Sequence, residues 1–278
     1  SLAGVALVLL DLWLFGHGFN PAVDPRLLKF TPPVVEFLRR DDSLWRFTTF
    51  IAPGEKTFNA NVGMFYGFHD VRGYDSIIPR QYVEFMERIE EQDELLYNRI
   101  APLSEYDSLD SPLLDLLGVK YVLTTQYIPN PGYTLVYDQE IKVYRNEDAF
   151  PRAFVMRCEE ERLVEGWPEG FDPRTMLLTD PGGRRQDAGG RMQEAGCGMR
   201  MFASCVMQPA MVSSYGLNEV FVEAELDAPG WLVLADSFAP GWKAYVSSEV
   251  RVSSSEQEAG AESDTEHAIR NTQYAIQI

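Results

Sequence analysis

The chain has 278 residues, a formal net charge of −18 and a hydrophobic fraction of 45%. That apolar content excludes a disordered chain, and the length suits one large domain or two small ones. The acidity argues against nucleic acid as a partner and against electrostatic docking onto anionic lipid, because both need a basic face.

The first segment, Leu2–Leu10, is apolar up to Asp11, then runs on through Leu12-Trp13-Leu14-Phe15-Gly16. A spanning helix needs about 20 apolar residues. No basic region or small-residue cleavage site marks a signal peptide. Two readings stand: a buried core element, or the outer end of a transmembrane helix. Trp13 and Phe15 favour the second, since aromatic residues gather at the membrane–water boundary. On that reading residues 1–18 end a membrane helix, and the chain leaves the bilayer through Gly16, Gly18 and Pro21.

Pro32–Arg40 reads as a short helix with proline at its start. Leu44–Ile51 is aromatic and β-branched and reads as a strand. Phe65–Asp70 reads as another strand. Pro79–Ile100 has an apolar stripe of Tyr82, Met86 and Ile89, which predicts a long helix with its glutamates on a solvated face. Ser111–Gly118 has a serine cap, a first-turn proline and a terminal glycine, so it predicts a compact helix. Val119–Thr124 is then a strand. Tyr133–Tyr137 and Ile141–Tyr144 flank a turn at Asp138-Gln139-Glu140 and predict a hairpin.

Beyond residue 150 helical periodicity stops. Strand-like runs occur at Ala153–Met156, Thr175–Leu178, Met199–Met207, Val220–Leu226, Trp231–Ala235 and Trp242–Val246, with a last one at Gln273–Ile278. Turn residues separate them, which suggests an antiparallel sandwich. Pro181–Gly198 reads as a glycine- and arginine-rich loop. Ser253–Thr265 is polar, acidic and of low complexity, and reads as a mobile insertion. The fold class is therefore α+β: a membrane-helix stub (1–18), a small α/β subdomain (19–150) and a jelly-roll-like β-sandwich (151–278).

No nucleophile elbow, phosphate loop or dinucleotide fingerprint is present. His17, His69 and His267 form no metal-ligand spacing, so no metal and no cofactor is expected. No catalytic residue is assigned. Cys158, Cys197 and Cys205 contain no CxxC. Cys197 and Cys205 can bridge in an oxidising compartment, or all three can be free thiols. The densest polar segment is His69-Asp70-Val71-Arg72-Gly73-Tyr74-Asp75-Ser76. Asp70 and Arg72 lie two apart, on one face of a strand. They either pair with each other or present a carboxylate and a guanidinium to a polar ligand, with Tyr74 able to stack on a sugar. Trp231 and Trp242 read as core, or as a glycan-stacking surface.

Several blocks together resemble the YfhO family of bacterial membrane proteins. They are Asp11–Gly16 with Phe19-Asn20-Pro21, Asn61, Arg72–Ser76 and Tyr82, followed by Leu113–Val122, Val143–Asn146 and Phe150–Phe154, then Gly230–Asp236 with Pro240–Val246. They keep the family's order over nearly the whole chain. The resemblance implies a polytopic glycosyltransferase that moves a sugar from a polyprenyl-phosphate donor to an envelope glycan acceptor, at the bacterial cell membrane. The family's presumed catalytic carboxylate lies in an early outer loop that has no counterpart here. This chain would be the extracytoplasmic portion, attached to the lipid bilayer by its N-terminal helix. Asn61, Asp70, Arg72, Tyr74 and Asp75 are the candidate substrate-binding residues. The net charge of −18 opposes a polyanionic acceptor such as teichoic acid, so a neutral glycan fits at least as well. The alternative is a non-catalytic, membrane-tethered sandwich that binds glycan or a partner protein.

Overall fold

The computed structural model describes residues 2–19, 24–26, 30–52, 54–92, 98–179, 185–186, 192–193, 199–226, 228–237, 242, 244–245 and 273–275. The chain is α+β. It divides into two compact units, residues 1–41 and 42–278.

The first unit holds α1 (Leu2–Gly16) and α2 (Pro33–Leu38). α1 has 15 residues and buries none of them. At 1.5 Å per residue it is about 22 Å long. No helix among the described residues is long and apolar enough to cross a membrane. α2 starts at a proline, as its sequence predicts, and buries Val34, Val35 and Leu38.

The second unit opens with β1 (Arg46–Thr49), α3 (Val62–Tyr66) and β2 (His69–Asp70), then α4 (Arg80–Glu87), α5 (Tyr106–Leu109) and α6 (Pro112–Leu116). β3 (Val119–Thr124), β4 (Tyr133–Asp138) and β5 (Lys142–Asn146) follow. These strands form one sheet in the order β2-β1-β3-β5-β4. β1 is parallel to β2 and β3, and β3 is antiparallel to β5. The hairpin expected around Asp138 is present, with a bulge between Leu135 and Tyr137. Val71, Val119, Val122 and Tyr144 share an apolar cluster with Val83 and Met86 of α4, Leu109 of α5 and Leu114 of α6. Elsewhere Trp45 packs on Tyr121 and Phe68, with ring centroids 5.0 and 5.1 Å apart.

Three local expectations fail here. Residues 65–70 are not one strand. Asn61, at φ 69°, starts α3, and Gly67, at φ 79°, ends it before β2. A Cβ on Gly63 would come within 2.9 Å of the Phe47 ring, so this tight approach needs glycine. The helix expected over 79–100 stops at Glu87. Its glutamate face is not wholly solvated. The Glu90 carboxylate accepts hydrogen bonds from the Ser104 hydroxyl and from the backbone N–H of Ser104 and Glu105. Gln92 accepts from the Ala101 N–H. These tertiary partners outweigh the helical periodicity of the local sequence. α6 forms as predicted, but Ser111 makes no side-chain cap bond. Gly118, at φ 69°, ends that turn and admits β3.

The remaining strands are β6 (Ala153–Arg157), β7 (Glu160–Val164), β8 (Leu177–Thr179), β9 (Arg185–Gln186), β10 (Met192–Gln193) and β11 (Met199–Ala203). They are followed by β12 (Val206–Pro209), β13 (Met211–Tyr215), β14 (Val220–Glu223), β15 (Trp231–Leu234) and β16 (Gln273–Ala275). One sheet runs β7-β11-β8 and another β12-β6-β15-β16. Phe154, Met156, Leu177, Phe202 and Val233 from these two sheets share a single apolar cluster. β16 pairs parallel to β15, so the second sheet is not purely antiparallel. The run expected over 199–207 is broken into β11 and β12 at Ser204, which has φ 53°. β7 and β13 escaped the sequence reading because their charged and serine residues hide the alternation. Trp231 contacts Phe202 at 4.8 Å between centroids and packs against the core, as the core reading has it. Cys205 bridges to Cys158, not to Cys197. The reason is topological: β12 pairs with β6, and this brings the residues beside those strands together. Cys197, the insertion at 253–265, most of the loop at 181–198 and the exit at Pro21 lie outside the described residues, as do parts of the runs 242–246 and 273–278.

Candidate functional site

The polar centre of the second unit lies where β1 and β2 meet the chain around β6 and β15. Arg46 opens β1. Its Nη1 donates to the Leu117 carbonyl at 2.7 Å and its Nη2 to Asp236 Oδ1 at 2.5 Å. Arg152, just before β6, donates through Nη1 to the same Asp236 oxygen at 2.8 Å. The Tyr215 hydroxyl, at the end of β13, donates to Asp236 Oδ2 at 2.8 Å. Arg152 Nη2 lies 2.9 Å from His69 Nδ1. A guanidinium has no lone pair to offer, so Nδ1 accepts and the neutral ring carries its proton on Nε2. The Arg152 guanidinium also lies 5.3 Å from the Tyr215 ring centroid.

Electrostatics follow from this packing. Burial, and then the adjacent Arg152 cation, pull the Arg46 guanidinium down to about 10, against the opposing pull of Asp236. Burial first, then Arg152 and Arg46, lower His69 below its usual value and keep it neutral. Burial and the Asp236 carboxylate raise the Tyr215 hydroxyl. Among the described residues, the region therefore carries two guanidinium cations against a single carboxylate, Asp236.

Asp70 and Arg72 form a separate, nearly closed pair. Arg72 meets the Asp70 carboxylate with Nε at 3.0 Å and Nη2 at 2.7 Å. It also donates to Thr49 Oγ1 at 2.6 Å and to the Phe58 carbonyl at 2.9 Å. Both side chains are almost fully buried. Of the two roles the sequence left open, pairing is the one observed. Burial raises the Asp70 carboxyl even though Arg72 opposes it.

Two cavities flank these groups. One of about 220 Å³ is lined by Arg46, Asp70, Arg72, Tyr82 and Asp236 among others. The second, of about 280 Å³, is lined by Arg46, Asn61, His69, Arg72, Arg152 and Tyr215, together with Asp70, Met64 and Phe68. Of the sequence candidates, Asn61, Asp70 and Arg72 come together on this second cavity. Asn61 holds the Tyr74 backbone, donating to its carbonyl at 2.5 Å and accepting from its N–H at 3.2 Å. Tyr74 is 59% exposed and lines neither cavity. Asp75 is exposed, and its carboxylate accepts from the Ser76 N–H at 2.6 Å. Arg46, Arg152, Tyr215 and Asp236 were not singled out from sequence. Their available signal was a lone arginine inside an apolar run, at Trp45-Arg46-Phe47 and Pro151-Arg152-Ala153. Among the described residues no group of three His, Cys, Asp or Glu is placed to hold a metal ion. The chain matches no protein-family model, no curated protein and no solved structure.

Proposed function

We propose that this chain is the extracytoplasmic portion of a YfhO-like envelope glycosyltransferase, held at the bacterial cell membrane by α1. On this reading α1 is the outer end of a membrane helix. Residues 19–150 form the α/β subdomain and residues 151–278 the jelly-roll-like sandwich. The catalytic loop and the polyprenyl-phosphate sugar belong to the rest of that enzyme, and this portion shapes the acceptor side or grips the glycan. The observation that carries the membrane part is α1: apolar all round apart from Asp11, with every residue from Leu2 to Gly16 exposed. A helix with no polar face needs an apolar surrounding. The Cys158–Cys205 disulfide adds support, since such bonds persist in oxidising compartments outside the cytoplasm. The ordered sequence blocks support the family assignment.

Cell fractionation tests the reading. The protein is expected in the membrane pellet after a high-salt wash, with external protease removing the part after residue 41. Recovery in the soluble fraction, or protection from external protease, overturns it. Disrupting the gene is then expected to remove one sugar substituent from an envelope polymer. An unchanged envelope composition overturns the transferase part.

A further inference from the structure

The unequal charge around Asp236 has a direction. Asp236 lines the smaller cavity and not the larger, while its carboxylate meets Arg46, Arg152 and the Tyr215 hydroxyl, all three of which line the larger one. The larger cavity is lined by both guanidinium groups. Its walls carry Arg46, Arg72 and Arg152 against one carboxylate, Asp70, which Arg72 already binds through two nitrogens. Taking both aspartates together, three cations face two anions among the described residues, which leaves one positive charge at the cavity. The rest of the molecule is strongly acidic. Buried cations in excess of their counter-ions are costly, and a ligand of opposite charge relieves that cost. His69 lines the same cavity with its remaining proton on Nε2, and guanidinium groups present forked donors that match an oxyanion.

We infer that the cavity between Arg46, Arg152, His69 and Tyr215 binds a singly charged oxyanion carried on a unit no larger than a monosaccharide. The volume of about 280 Å³ sets the size limit, because it lies just below the usual range of small-ligand pockets. The charge balance sets the single negative charge. A sugar carboxylate and a phosphodiester both meet that description. The inference does not depend on the membrane assignment, because it rests on residues 46–236 alone.

Calorimetric titration of the full chain tests it with three probes at low ionic strength: glucuronate, dimethyl phosphate and uncharged glucose. At least one anion is expected to bind saturably and at least tenfold more tightly than glucose, and to weaken as salt is added. Binding of glucuronate alone identifies a carboxylate ligand, and binding of dimethyl phosphate alone identifies a phosphodiester. Asp70→Asn removes the one negative wall and is expected to tighten anion binding severalfold. Arg152→Met is expected to weaken it at least tenfold. Where Arg152→Met fails to fold, the wild-type titration and Asp70→Asn decide. Absence of saturable binding by either anion up to about 10 mM, equal binding of glucose, or an Asp70→Asn protein that folds and binds no tighter overturns the inference.

Discussion

The two arginine–aspartate groups of the second unit look alike and are built differently. Asp70 and Arg72 are two residues apart, carry equal and opposite charge, and are sealed by Thr49 and the Phe58 carbonyl. Arg46, Arg152 and Asp236 come from distant parts of the chain, and two cations share one carboxylate oxygen. The first group is balanced and mainly holds β2 against β1. The second, among the described residues, keeps one positive charge beside a cavity. The lesson concerns balance more than burial: a neutral buried pair is scaffold, whereas an unbalanced one calls for a further partner.

The sharpest way to break this comparison is to unbalance the balanced pair. Arg72→Met leaves the Asp70 carboxylate buried and alone, and is expected to cost about 3–5 kcal/mol in urea unfolding. Adding Asp70→Asn to Arg72→Met is expected to recover a large part of that loss. A double variant as unstable as the single would mean that Arg72 acts through Thr49 and Phe58 and not through Asp70. Asp236→Ala attacks the other group and strands two cations. They keep the Leu117 carbonyl and His69 as neighbours, so the expected loss is smaller, about 3 kcal/mol. Added anion is expected to raise the Asp236→Ala melting temperature more than that of Arg72→Met.

The disulfide tests how far the assembled group depends on its frame. Cys158 and Cys205 are 47 residues apart, so Cys158→Ser is expected to lower stability by about 2–4 kcal/mol. A shift confined to anion binding, with no change in unfolding, would show that the bond tunes the site and not the fold.

The smallest expected effect is a pH dependence. Burial, Arg152 and Arg46 lower His69 from its usual 6.5. The unfolded chain therefore takes up a proton near that pH, while the folded chain resists until lower pH. Stability is fully present above about 6.5 and falls as pH drops toward the folded value. Asp70 works in the opposite sense. Its raised carboxyl takes a proton more readily in the folded chain, so acid relieves its burial. His69→Gln is expected to flatten the urea midpoint between pH 7 and about 5.5. An unchanged slope in that variant would assign the dependence to other groups.

Much of the framework was legible in the residues. β3 falls where Val119–Thr124 was expected, and the hairpin and the proline-started α6 also agree. These elements have local causes: β-branched runs, turn residues, and proline and glycine at the helix ends. The glutamate-rich stretch after Glu87 misled because its partners, Ser104 and Ala101, come from later in the chain. The candidate site divides in the same way. Asp70 and Arg72 stood out because they lie two residues apart in one dense polar segment, although the sequence left their role open. Arg46, Arg152, Tyr215 and Asp236 were not, because nothing in a strand's alternation says which distant carboxylate will neutralise a lone arginine.

The sequence by itself determined the α+β class, the apolar first segment and the closeness of Asp70 and Arg72, since helix, strand and turn preferences act over a few residues. Only the tertiary structure decided that Cys205 joins Cys158 and that two arginines converge on Asp236. Those contacts depend on strand pairing across long stretches of chain, and the charge a cavity holds depends on which walls that pairing brings together.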